Sequence, residues 1–210
     1  MLNQDTFDYI IIGSGFGGSV AALRLAEKGF RVAVLEQGQR FSPGDFPKSD
    51  WNLRKFLWAP AIGWHGILRC HFFREVFVLT GTGVGGGSLV YANTLMKPGD
   101  EFFNNPAWLN GTDWKKQLAV HYDTACKMLG AEQFPVSDNA EDLILKEIAA
   151  EMNREETFSL VETGVYYGDK EKESDPYFNG EGPIRKGCTG CAGCMTGCRE
   201  NAKNTLDKNY

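Results

Sequence analysis

Hydrophobic positions near the amino end form two short unbroken runs separated by a helical stripe. Residues 7–12, FDYIII, end in an apolar β-branched run, which predicts a strand of a parallel sheet buried on both faces. Residues 16–28 place Val20, Leu23 and Ala26 at helical spacing, and Gly29 supplies the stop. Residues 31–36, RVAVLE, return to an apolar run and predict a second buried strand. Strand, helix and strand follow closely enough to form one βαβ unit, whose crossover is expected to be right-handed.

After residue 40 the pattern loosens. Residues 41–66 are rich in Pro, Gly and Trp and read as an irregular excursion with one short helical piece. Residues 67–80, ILRCHFFREVFVLT, predict two strands with a turn near Arg74-Glu75. A Gly-rich turn at 81–87 follows, then a helix start or extended segment at 88–96. Residues 113–129 predict a helix capped by Asp113, with Leu118, Tyr122, Cys126 and Leu129 on one face. Another helix is predicted at 138–152, capped by Ser137 or Asp138, and a strand at 158–167. Residues 168–186 read as a charged loop. The fold class is therefore α/β: a Rossmann-like βαβ unit with irregular and helical insertions. A doubly wound sheet needs more than two strands, so the unit reads as an incomplete domain. The expectation is a truncated gene product or one part of a split protein.

Composition narrows the function classes. The chain has 210 residues with 25 Gly, 42% hydrophobic and 23% charged residues, which is globular rather than disordered. A net charge of −5 argues against nucleic acid as the main partner. No apolar window reaches the length of a transmembrane span, and the start lacks a signal-peptide pattern, so a cytoplasmic location is expected. Asn110-Gly111-Thr112 fits a glycosylation sequon, read as chance without a secretory signal. Cys70 and Cys126 stand alone and read as small buried apolar residues.

The first chemistry lies between the two strands. Gly13-Ser14-Gly15-Phe16-Gly17-Gly18 matches G-x-G-x-x-G, leaves a strand, opens a helix, and is followed by Glu36 at the end of the next strand. Gly13 permits the tight turn, Gly15 lets the backbone touch a diphosphate, and Gly18 lets helix pack close on strand. The helix N-terminus favours the anion. Glu36 can accept hydrogen bonds from ribose hydroxyls. Ala22 adds another small residue on the packing face. This unit by itself leaves FAD and NAD both open.

A second glycine run, residues 81–93, reads GTGVGGGSLVYAN. Taken with FDYIIIGSGFGGSVAALRLAEKGFRVAVLEQG, with WNLRKFLWAPAIGW, HYDTACKMLG and the closing KNTLDKNY, it resembles the glucose-methanol-choline (GMC) oxidoreductases, in their bacterial cholesterol-oxidase-like branch. The resemblance implies FAD as cofactor, an alcohol or sterol as substrate, and hydride transfer from the alcohol carbon to flavin N5. It implies that Gly13, Gly15 and Gly18 hold the diphosphate and Glu36 the adenosine ribose. Gly85, Gly86, Gly87 and Ser88 would lie along the diphosphate and ribityl chain, and Asn93 near the flavin ring. The family's catalytic His belongs to a C-terminal part, and His65, His71 and His121 match no catalytic position, so no catalytic residue is assigned. Three regions are expected: an FAD-binding region at 1–100, a mostly helical insertion at 101–186, and a Cys-rich segment at 187–210. A separate chain carrying the remaining half of the family fold is the expected partner. Trp51, Phe56, Trp58 and Trp64 read as core, with a surface for a flat apolar substrate as the alternative.

Cys188, Cys191, Cys194 and Cys198 have the spacing C-x2-C-x2-C-x3-C of ferredoxins. Arg199 stands where bacterial ferredoxins have Pro, and only one run is present. An iron–sulfur cluster, zinc, and free thiols or disulfides all remain open. The segment also resembles a Cys-rich stretch of the same oxidoreductase branch, with Asn201 in place of an expected Gly. Some flavin-dependent sugar dehydrogenases of that superfamily carry an iron–sulfur cluster in a comparable segment, so such a cluster here is an expectation by analogy.

Overall fold

The structure, a computed structural model, describes residues 6–108, 111–135 and 139–210. The chain opens with β1 (Tyr9–Ile12), α1 (Phe16–Glu27) and β2 (Val32–Leu35). β1 and β2 pair in parallel, with Tyr9 opposite Val32 and Ile12 opposite Leu35. The βαβ unit thus forms where the apolar runs predict it. Its strands are not buried: Ile10 is 64% exposed and Ile12 87%. Two strands with one helix against them leave a sheet face and both edges uncovered, and this corrects the expectation of burial on both sides.

The excursion after β2 carries α2 (Leu53–Phe56) and a small antiparallel pair, β3 (Trp58–Ala59) with β4 (Trp64–His65). Next come β5 (Leu68–Phe72) and β6 (Phe77–Gly81), an antiparallel hairpin that turns at Arg74-Glu75 as predicted. Phe41, Phe46, Ile67 and Leu89 form one buried cluster, with Phe56 and Val90 packed against it. Trp51 is 89% exposed, so it does not belong to the core the aromatic stretch predicts. Trp58 lies under the Arg69 guanidinium, 4.8 Å from it.

A short α3 (Asp100–Phe103) precedes α4 (Trp114–Met128). Asp113 caps α4 by accepting from Lys116 N at 3.0 Å, and Leu118, Tyr122, Cys126 and Leu129 are its less exposed face, both as predicted. β7 (Glu132–Gln133), α5 (Ala140–Glu151) and β8 (Glu162–Thr163) follow. Asn139 caps α5 by accepting from Asp142 N at 2.7 Å. The predicted caps Ser137 and Asp138, and Asn110 of the sequon, lie outside the described residues. Of the strand predicted at 158–167 only β8 forms, because only Glu162 and Thr163 find ladder partners on β7. Cys70 and Cys126 are half-buried rather than fully enclosed.

The last element is α6 (Leu206–Asn209). The segment entering it, residues 202–206, is fully buried, although its sequence is largely polar. It crosses the middle of the molecule: Lys203 bridges to Val165, and Asn204 N donates to Gly164 O at 2.9 Å. Val165, Cys198 and Ala202 make a second small buried cluster beside it. No helix of the described residues is long and apolar enough to cross a membrane.

Candidate functional site

Two glycine-rich turns meet at the C-terminal end of β1. The first runs from Gly13 to Gly18; the second, Gly81–Ser88, leaves β6 and ends in a short turn of helix at Gly86–Leu89. Gly13 has φ +90, which lets the chain leave β1 and enter α1 at once. A Cβ at Gly13, Gly15 or Gly17 would meet no atom within 4 Å, so the corner is open above its backbone. A Cβ at Gly18 would instead strike Gly13 O, which is the close helix–strand packing the fingerprint requires. Gly15 precedes α1 as its N-cap, no side chain among the described residues caps that end, and the first turn of α1 holds no acid. Its N–H groups therefore stay free for an anion.

The second turn closes on the first. Gly86 has φ +52, and a Cβ there would lie 2.7 Å from Gly15 Cα. Gly38, just past β2, is equally tight: its Cβ would lie 2.6 Å from Gly83 Cα. Three stretches of bare backbone thus interlock around one corner.

Ser14 is the bolt between them, and the motif reading passed it over as a variable position. Its hydroxyl donates to Glu36 Oε2 at 2.8 Å and accepts from Gly85 N at 3.1 Å. Ser14 N also donates to Glu36 Oε2 at 2.9 Å, and Gly38 N donates to Glu36 Oε1 at 3.0 Å. Glu36 therefore points into the corner. Burial would raise its pKa, but the hydrogen bonds from Ser14, Gly38 and Gln37 outweigh that and leave the carboxyl below its ordinary value of 4.5.

The remaining predicted residues are placed as follows. Gly85 and Gly86 form the closing turn, and a Cβ on Gly87 would touch the Phe16 ring at 3.7 Å. Ser88 is buried: its hydroxyl donates to Gly85 O at 2.7 Å and accepts from Leu206 N at 3.0 Å. Asn93 is buried with φ +65, and its Oδ1 has no hydrogen-bond partner among the described residues. Gly81 and Gly87 also border an apolar cavity of about 610 Å³ lined by Phe56, Leu68, Leu79, Val90 and Met195. His65 is exposed, His71 hydrogen-bonds Thr80 at 3.0 Å, and His121 is exposed on α4, so none reaches the corner.

The cysteine segment lies behind the second turn. All four thiols are free, and among the described residues no three His, Cys, Asp or Glu side chains gather as metal ligands. Cys198 Sγ accepts from Ala202 N and Lys203 N at 3.3 and 3.4 Å. Asn201 sits at φ +60 and donates to Ile184 O at 2.8 Å, so the turn expected of glycine is kept by a residue that tolerates the left-handed region. Two buried cations were not picked out from sequence. Lys203 Nζ donates to Leu89 O, Tyr91 O and Cys194 O at 3.0, 2.7 and 2.8 Å. Burial pulls its pKa down to about 7, against the opposite pull of Cys194 and Cys198. Arg185 donates to Lys203 O and Asn209 Oδ1 at 2.9 and 2.7 Å.

Comparison with known proteins decides between the dinucleotides. Residues 8–45 match the FAD binding domain family. The chain is 53% identical over 210 residues to cholesterol oxidase of Mycobacterium tuberculosis, covering 97% of this chain and 36% of that protein. It is 45% identical over 214 residues to cholesterol oxidase of Acinetobacter baumannii, covering 100% and 38%. Over its whole length the chain is similar to the N-terminal region of the cholesterol-oxidase-like GMC oxidoreductases. A more distant member of the set, long-chain-alcohol oxidase FAO1 of Arabidopsis thaliana, is 28% identical over 149 residues, covering 68% of this chain and 19% of that protein. The chain spans just over a third of the length of the two cholesterol oxidases it matches. The chain carries an FAD-binding region, and the open corner, the uncapped helix start and the inward carboxylate all suit that cofactor.

Proposed function

We propose that this chain supplies the FAD-holding part of an enzyme that oxidises an alcohol, with a sterol or long-chain alcohol as the substrate class. When bound, FAD supplies the two-electron oxidation of the alcohol carbon. The chain's own residues hold and orient it. N–H groups at the start of α1 and the bare backbone of Gly13 and Gly15 take the diphosphate. Glu36 takes the adenosine ribose, exchanging its Ser14 hydroxyl contact for a sugar hydroxyl. Gly85, Gly86 and Gly87 line the path toward the ring, Ser88 holds that turn from behind, and Asn93 offers its unpartnered Oδ1 from beyond the turn. The apolar cavity beside Gly87 suits a substrate with a large hydrocarbon body.

The observation that carries this reading is the interlock of two glycine turns with an inward Glu36. Titration of the purified chain with FAD, followed by flavin fluorescence, tests it. Saturable binding is expected, weakened by Glu36→Ala, with NAD giving none. Equal binding of NAD, or no effect of Glu36→Ala, would contradict it.

The uncovered faces extend the proposal. Ile10, Ile12, Val34 and Leu35 on the β1–β2 sheet, and Phe72, Phe77 and Leu79 on the β5–β6 hairpin, are exposed. Such surfaces are interaction surfaces in stable proteins. They fit coverage by the remainder of the family fold, on a continuous or a separate polypeptide. Co-expression with the complementary two-thirds of a cholesterol-oxidase-like relative is expected to yield a co-purifying, alcohol-oxidising complex; failure to associate would contradict this.

A further inference from the structure

Lys203 lies behind the cofactor corner, out of reach of solvent, and its partners are backbone carbonyls. Leu89 is the last residue of the turn that closes on Gly15, and Tyr91 lies two residues beyond it. From Val90 to Leu95 the chain belongs to no named helix or strand. Buried carbonyls there need a donor from elsewhere. The ammonium of Lys203 supplies it to Leu89 O and Tyr91 O, and its third proton goes to Cys194 O. An ammonium has three donors on one centre, which matches three carbonyls converging on a point; a guanidinium fork does not.

The same cation reaches the first turn by a second route. Lys203 Nζ sits 4.5 Å from the centre of the Tyr91 ring. The Tyr91 hydroxyl donates to Asn204 O at 2.9 Å, which fixes that ring from its far end. The ring then meets Phe16 edge-on, with centroids 6.1 Å apart. Phe16 is the first residue of α1, directly after Gly15. One side chain therefore bears on both glycine turns: through Leu89 on the second, and through Tyr91 and Phe16 on the first.

We propose that Lys203 is a positioning residue of the FAD site, its ammonium setting where the second glycine turn lies against the first and so how tightly the cofactor is held. The inference rests on the reading of this corner as the FAD site. The Lys203 ammonium is committed to three backbone carbonyls and the Tyr91 ring; it acts through the Leu89 carbonyl and that ring. Cys194, on the third carbonyl, ties the cysteine segment into the same point, so displacement of that segment also reaches the corner.

The test compares FAD dissociation constants, from fluorescence titration at pH 6 where Lys203 is an ammonium, for the wild-type chain, Lys203→Met, Lys203→Arg and a control, Leu118→Ala. Leu118 is half-buried on α4, which packs on α3 rather than on either glycine turn, so its truncation lowers stability without altering the clamp. Lys203→Met is expected to weaken FAD about tenfold or more, as for the loss of a charged donor to buried carbonyls, and Lys203→Arg by less. The visible absorption band of bound FAD should shift in shape in both, a change that lowered stability alone does not produce. Leu118→Ala should stay within about twofold of wild type. If Lys203→Met does not fold, Lys203→Arg carries the comparison. Wild-type affinity and an unchanged flavin band in the folded Lys203 variants would overturn the clamp while leaving the FAD site standing. A wild-type chain that binds no FAD would remove the site and the clamp together.

Discussion

An aliphatic stretch and a largely polar stretch of this chain exchange the places that hydropathy assigns them. β1 is almost purely aliphatic and stands with Ile12 87% exposed. Residues 202–206, AKNTL, are mostly polar, yet all are buried, Lys203 and Asn204 at 0% exposure. The difference lies in partners. Among the described residues β1 has one neighbouring strand and one helix, so its aliphatic side chains have nothing there to pack on across the other face. Asn204 Nδ2 donates to Leu129 O at 2.8 Å and to the Tyr177 hydroxyl at 3.0 Å, and Asn209 Nδ2 to Met128 O at 2.8 Å. Polar groups enter an interior when most of them find bonds (Asn204 Oδ1 and Thr205 Oγ1 find none among the described residues), and apolar groups are buried only when something covers them.

Substitutions can break or sharpen that contrast. The largest effect is expected at the glycine corner, where Gly18→Val drives its side chain into Gly13 O. It should cost at least about 3 kcal/mol in denaturant unfolding and abolish FAD binding. Next is Asn204→Ala, which strands the Leu129 carbonyl and the Tyr177 hydroxyl; a loss of about 2–3 kcal/mol is expected from the same measurement. At the far end, Ile12→Ser should change stability by no more than about 0.5 kcal/mol, as at other exposed positions. A cost at Ile12 equal to that at Asn204 would end the contrast.

A pH series adds a smaller effect. The Glu36 carboxyl titrates below its ordinary value in the folded chain, so the stability it lends is present above that value and lost as pH falls through the lowered folded pKa. Glu36→Gln should therefore flatten the acid limb of the stability curve and leave the neutral region less stable than wild type. An acid limb identical in both proteins would show that the carboxylate contributes nothing there.

Much of the corner was legible from local pattern. The βαβ unit, the β5–β6 turn at Arg74-Glu75 and the Asp113 cap depend on neighbours close in sequence. The roles of Gly13 and Gly18 follow from backbone conformation and close approach, which the motif spacing encodes. The contacts that lock the corner were not legible, because they join residues 14 with 85 and 203 with 89 and 91. Ser14 occupies a variable position of its motif, and Lys203 reads as one more surface cation until its carbonyl partners are known. The exposure of β1 was missed for the opposite reason: an apolar run predicts a buried strand only where the sheet around it is complete. Gly38, two residues past Glu36, was the signal of the third interlocking loop.

The central claim is that the corner between β1 and α1 holds the FAD diphosphate while Glu36 takes the ribose. A crystal structure of the chain grown with FAD tests this most directly. The account predicts the diphosphate within hydrogen-bond distance of the N–H groups opening α1, with the ribose hydroxyls on Glu36. A diphosphate seated elsewhere, or a Glu36 still bonded only to Ser14 and Gly38 beside bound FAD, would contradict it.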